Sequence, residues 1–126
     1  MSLLAPILVT CFLITIQGFL LQTAVALTGD PAPRYGRALL TSLIAGILTF
    51  IGVSSWGCTF GLLLGFLSKP LAATLSIFVG LVITSAVYRT RLRISGGQAL
   101  VIAGLHHLMA WGVGALVWAV IRHWPF

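Results

Sequence analysis

Acidic residues are almost missing from this chain: Asp30 stands alone against seven Lys and Arg, and charged residues of all kinds make up only 6% of 126 positions. A water-soluble domain of this size needs far more charge to cover its surface, so that class is excluded. With no second carboxylate side chain, acid/base catalysis by a carboxylate pair is excluded too. Only two cysteines are present, Cys11 and Cys58, far apart and without Cys-x-x-Cys or Cys/His spacing. They indicate neither a disulfide framework nor a zinc site. Polar stretches long enough for a separate soluble module are absent as well, which leaves a single domain over residues 1–126.

What the chain does have is apolar length. Sixty per cent of its residues are hydrophobic, and its mean hydropathy is +1.15. The sequence therefore specifies an all-α integral membrane protein with lipid as its main solvent. An isoelectric point near 10.9 would suit nucleic acid only if the basic residues shared a solvated face. They are instead isolated at the ends of apolar segments, so nucleic-acid binding is not expected.

A hydrocarbon core about 30 Å thick takes roughly 20 helical residues to cross. Four spans satisfy that length, at about residues 3–27, 38–56, 70–88 and 98–121. The first ends at Thr28-Gly29-Asp30-Pro31-Ala32-Pro33, which no helix crosses undisturbed. Ala24-Val25-Ala26 resembles a signal-peptidase site. No Lys or Arg precedes the first apolar run, however, and that run exceeds the usual signal length, so a retained helix is expected. Residues 38–67 as one helix would be about 45 Å long, too long to stay in the core at ordinary tilt. A kink at Ser54-Ser55-Trp56-Gly57, or a short interfacial segment over 58–68, is expected after the second span.

Four spans place Arg34, Arg37, Arg89, Arg91 and Arg93 on one side, with Lys69, Arg122 and both termini on the other. Five against two predicts an N-out, C-out topology, with the five arginines cytoplasmic. Tyr35 and Tyr88 are read as markers of the cytoplasmic interface, and Trp56, Trp118 and Trp124 of the outer one. The expected location is a bacterial inner membrane. The five arginines serve first as topology determinants and second as contacts for lipid headgroups or an acidic partner. Asp30 is read as a turn residue pairing loosely with Arg34 or Arg37.

Small residues recur at a spacing of four: Gly57, Gly61 and Gly65; Ala72, Ser76, Gly80 and Thr84; Ala110 and Gly114. On a helix each row is one shallow face that lets another backbone approach. Packing within the chain is the first expectation, and the surplus of such faces points also to other membrane subunits or to copies of this chain.

His106 and His107 are the only ionisable groups deep in a span. Counting helical rise from the outer ends puts Gln17 at nearly their depth, and hydrocarbon offers a polar group no other partner. A hydrogen bond from Gln17 to one of the two histidines is therefore expected. Adjacent residues point about 100° apart, which leaves the second histidine free to face a partner chain. Haem would need an opposing ligand from another subunit, since no other span carries a His. No cofactor or metal is expected from this chain alone. A Cys58/His123 pairing is the one conceivable nucleophilic arrangement.

No catalytic motif emerges, and a non-catalytic role is expected: a subunit of a larger membrane complex or oligomer, packing through its small-residue faces. The competing readings are a small homo-oligomeric channel or transporter with a His/Gln polar path, and a redox anchor sharing haem or quinone with a partner.

Overall fold

The computed structural model describes residues 3–123, and these are all-helical. Four helices are long and apolar enough to cross a membrane, which makes this a multi-pass membrane protein by length and composition. In order they are α1 (Leu4–Leu27), α2 (Tyr35–Trp56) running on through a π-helical turn (Gly57–Gly61) into the short α3 (Leu62–Leu67), then α4 (Lys69–Leu92) and α5 (Gly96–His123). The helices close a ring: α1 packs on α2, α2 on α4, α4 on α5 and α5 back on α1. Short connections make neighbours antiparallel, so the α1–α2 and α4–α5 turns meet at one end of the bundle.

Each boundary has a local cause. α1 ends where Thr28 and Gly29 donate backbone bonds to Val25 and Ala26, with Gly29 at φ +83°, the left-handed step that glycine takes without strain. Pro31 and Pro33 prevent resumption before α2. α4 starts at an N-cap: Ser68 is extended, its hydroxyl accepts from the Leu71 amide, and Pro70 follows in the first turn, where a missing N–H costs nothing. It stops at Arg93, which is left-handed (φ 55°) although it is not glycine.

The stretch from Tyr35 to Leu67 is continuous helix over 33 residues. After Trp56 the backbone widens into the π-helical turn, where the Thr59 hydroxyl donates to Ser55 O at 2.8 Å with Trp56 O 3.3 Å away. Extra i→i+5 spacing is a usual response to Gly and Ser in sequence.

The buried set is small and concentrated towards the turn end: Leu21, Ala24, Val25, Ala38, Ala45, Tyr88, Ala99, Ile102 and Ala103. Large apolar side chains face outwards along every long helix, with Phe66 92% and Phe50 74% exposed. This inversion is what lipid permits, since hydrocarbon imposes no penalty on an exposed Phe. Trp118 is also exposed, whereas Tyr88 is 0% exposed. Reading Tyr88 as an interface marker is thus corrected: it is a core residue. Trp124 lies outside the described residues.

Candidate functional site

All four long helices turn polar side chains inwards around the middle of the bundle. Gln17 comes from α1, Ser42 and Thr49 from α2, Thr84 and Tyr88 from α4, and His106 and His107 from α5; with Ala45, Gly46 and Ala110 they line a cavity of about 140 Å³. One water needs roughly 10–15 Å³ of such space, so the chamber is roomy. Gln17 lies ten residues from the end of α1 and His106 ten from the start of α5. That is about 15 Å from the turn end, or mid-bilayer.

His106 organises the chamber. Its Nε2 lies 2.8 Å from Gln17 Oε1, and its Nδ1 meets the Tyr88 hydroxyl. A carboxamide oxygen only accepts, so Nε2–H donates to Gln17 and Nδ1 accepts from Tyr88 O–H. Both ring nitrogens of a neutral imidazole are thereby satisfied, and three helices are joined by two bonds. Cα–Cβ bonds lean towards each helix's N-terminus. In antiparallel helices, Tyr88 and His106 therefore lean towards each other across about 9 Å of rise. Their rings stack at 5.9 Å. His107 points elsewhere: its Nδ1–H donates to Ala103 O at 2.8 Å, leaving Nε2 as an acceptor on the chamber side.

A second link joins α2 to α4. Thr84 donates its one hydroxyl proton to Gly80 O at 2.8 Å, so the Thr49 hydroxyl is the donor in the 3.1 Å contact with Thr84. Ser42 donates to Leu39 O in its own helix. Thr41, fully buried beside this set, has no partner for its hydroxyl among the described residues.

The small-residue rows divide. Ala72 and Ser76 are half-buried, while Gly80 and Thr84 are buried on α2. A Cβ on Gly80 would sit 3.4 Å from Thr49 Cγ2 and 3.7 Å from Val53 Cγ2. Ala110 and Gly114 are half-buried. Around Gly57, Gly65 and Gly114 a Cβ would meet nothing within 4 Å, and Gly61 faces only its own helix's Trp56 O at 3.6 Å. Gly57, Gly61 and Gly65 are nevertheless half-buried, and the π-helical turn and α3 pack against α4, so this row lies beside α4 without close contact at the glycines themselves. Besides Gly80, two glycines outside these rows admit a neighbour: Gly18 against the Tyr35 ring, and Gly52 against Ile83.

Tyr88, Ser42 and Thr49 were missed in sequence. A signal existed for Tyr88, which continues the row Ala72, Ser76, Gly80, Thr84 by one more step of four and so shares its inward face. Asp30 also needs correction. Its Oδ2 accepts from Gln98 Nε2 at 2.9 Å, with the Thr28 hydroxyl, which donates to Val25 O, 3.3 Å away. Arg37 instead donates to Arg91 O at 2.6 Å. Arg34 precedes α2 and is exposed, as are Arg89 and Arg93; Arg91 is half-buried, with its Nε unpartnered. Cys11 and Cys58 are free and exposed. Among the described residues no three His, Cys, Asp or Glu side chains gather as a metal site would require. Comparison with protein families, with characterised proteins and with solved structures finds no match to this chain.

Proposed function

We propose that this chain is a non-catalytic membrane protein whose bundle accommodates a small, uncharged, hydrogen-bonding solute at mid-bilayer, as a small transporter or channel does. One observation carries the reading: a partly open cavity of about 140 Å³, mainly apolar in surface, into which all four long helices bring polar but uncharged side chains. The lining carries no Asp, Glu, Lys or Arg, so a charged guest would lack a counter-charge. Gln17, His107 and the two threonines offer it orientation instead.

The test uses purified protein in liposomes and stopped-flow osmotic swelling with urea and glycerol. Faster entry than in empty vesicles is expected, and Ala110→Phe, at the chamber wall on α5, should remove the excess. Gly112→Phe, on the exposed side of α5, should retain it. Permeability equal to that of protein-free liposomes would reject the transporter reading.

The second reading is a subunit of a larger membrane complex or a homo-oligomer, favoured by the open space around Gly57 and Gly65, where a Cβ would meet nothing within 4 Å. Under it, Gly61→Leu removes co-purifying chains in mild detergent and leaves the melting of the isolated protein unchanged. In either case we propose that the arginine-bearing turns lie in the cytoplasm of a bacterial cell, the chain sitting in the inner membrane. A reporter fused beside Arg93 that proves periplasmic would reverse that orientation.

A further inference from the structure

The turn end of the bundle holds a cleft of about 440 Å³, separate from the mid-bilayer chamber. The α1–α2 turn at Pro31–Pro33 and the end of α4 flank it; Val25, Leu92 and Ile94 form apolar walls, and Asp30, Arg37 and Arg93 supply charge. The chain's sole carboxylate therefore shares one cleft with two guanidinium groups.

These charges are held in place by other bonds. The hydrogen bond from Gln98 falls on Asp30 Oδ2, the oxygen that Thr28 also approaches, which leaves Oδ1 for a ligand. Arg37 is tethered by one Nη2 bond to Arg91 O, and the rest of its five-donor fork is available. Gln22 pins the turn from below, donating to Pro33 O at 2.8 Å. Arg93 holds a left-handed backbone, φ 55° and ψ 49°, that glycine would adopt without strain. A cation is thus kept at a position where backbone conformation favours another residue.

We propose that this cleft binds the phosphoethanolamine headgroup of a membrane phospholipid. Arg37 and Arg93 take the phosphate, for which the planar guanidinium is the best-matched side chain, and Asp30 Oδ1 accepts from the primary ammonium. Two cations with one anion suit a zwitterion in which phosphate and ammonium lie a few bonds apart. A purely anionic headgroup would meet repulsion from Asp30. Choline, with its nitrogen fully methylated, has no N–H to give. The apolar walls at the level of the membrane surface favour a lipid over a soluble phosphoethanolamine ester, since they provide a seat for the glycerol backbone and first methylenes.

Native mass spectrometry of the detergent-solubilised protein tests this by titrating phosphatidylethanolamine, phosphatidylcholine and phosphatidylglycerol of matched chains. Phosphatidylethanolamine should be retained best. Asp30→Asn, which still accepts from Gln98, should erase its advantage over phosphatidylglycerol, a change of roughly tenfold for one charge-assisted hydrogen bond. Arg93→Gly should weaken retention of every lipid while the melting temperature holds or rises, because the left-handed step becomes free. This second variant keeps the test decisive if Asp30→Asn does not fold. Equal retention of the three lipids, or a phosphatidylethanolamine preference that survives Asp30→Asn, would overturn the assignment. Full displacement by soluble glycerophosphoethanolamine would overturn the lipid as its source.

Discussion

Removing one oxygen, by Tyr88→Phe, isolates what the His106 network contributes. The Tyr88 ring is fully buried and keeps its packing as Phe; only the hydroxyl that donates to His106 Nδ1 is lost. Nδ1 is then an unpartnered acceptor beside the chamber. Leaving a buried polar group unsatisfied costs about 1–3 kcal/mol in water-soluble proteins, and hydrogen bonds between membrane helices measure about 0.6–1.7 kcal/mol. Chamber waters relieve part of the loss, so about 1–2 kcal/mol is expected. Gln17→Leu should cost a similar amount by stranding Nε2–H. The decisive variant is the triple, Tyr88→Phe with His106→Leu and Gln17→Leu. It removes every member of the network, leaves nothing unsatisfied, and should return to within about 1 kcal/mol of the starting protein. Reversible SDS unfolding in mixed micelles, followed by circular dichroism, reads all four proteins. If Tyr88→Phe is silent and the triple variant is the least stable of the set, the network is not what joins α1, α4 and α5.

Gly18→Ala should destabilise by about 1–3 kcal/mol, since the new Cβ would lie 2.6 Å from Tyr35 Cε2 and 3.2 Å from Leu39 Cβ; Gly104→Ala, which meets nothing within 4 Å, should be neutral or gain up to about 1 kcal/mol in the same assay. The Gly18 change should also free the Tyr35 hydroxyl from Thr15 O, a 2.7 Å bond in the structure, visible as a shifted tyrosine ultraviolet band. Thr41→Val replaces a fully buried hydroxyl without a partner by an isostere that needs none, and should stabilise by about 1–2 kcal/mol. A loss of stability in Thr41→Val would instead reveal a bound water at that hydroxyl.

Apolar length and stranded charge were legible because lipid leaves a strong one-dimensional signature: four runs near bilayer length, with Arg and Pro-Gly turns between them. Depth was legible too. Counting rise from helix ends sets Gln17 level with the histidines, and in the structure Gln17 faces His106. Rotation about each helix axis was not. Tyr88 near the end of a span suits an interfacial belt as well as a core, and only the angular setting of α4 against α5 decides between them. Gly18 and Gly52 were illegible for the same reason, since a glycine becomes a contact only when a neighbour's ridge arrives at it. The turn chemistry escaped because Asp30 finds Gln98, distant by 68 residues, whereas Arg34 and Arg37 are the nearer charges in sequence.

The row on α4 shows how one pattern carries two meanings. From Gly80, where Thr49 and Val53 approach to ordinary van der Waals distance, the same face passes in two further steps of four to Thr84 and Tyr88, which line open space. At Gly80 smallness brings α2 close; one turn later a hydroxyl at the same angular position meets Thr49 across the gap. Spacing by four identifies the inward face of α4, and residue chemistry along it separates the part that packs from the part that encloses the chamber. Gly57, Gly61 and Gly65 lack that chemistry, and at Gly57 and Gly65 the same spacing brings no neighbour within reach of a Cβ.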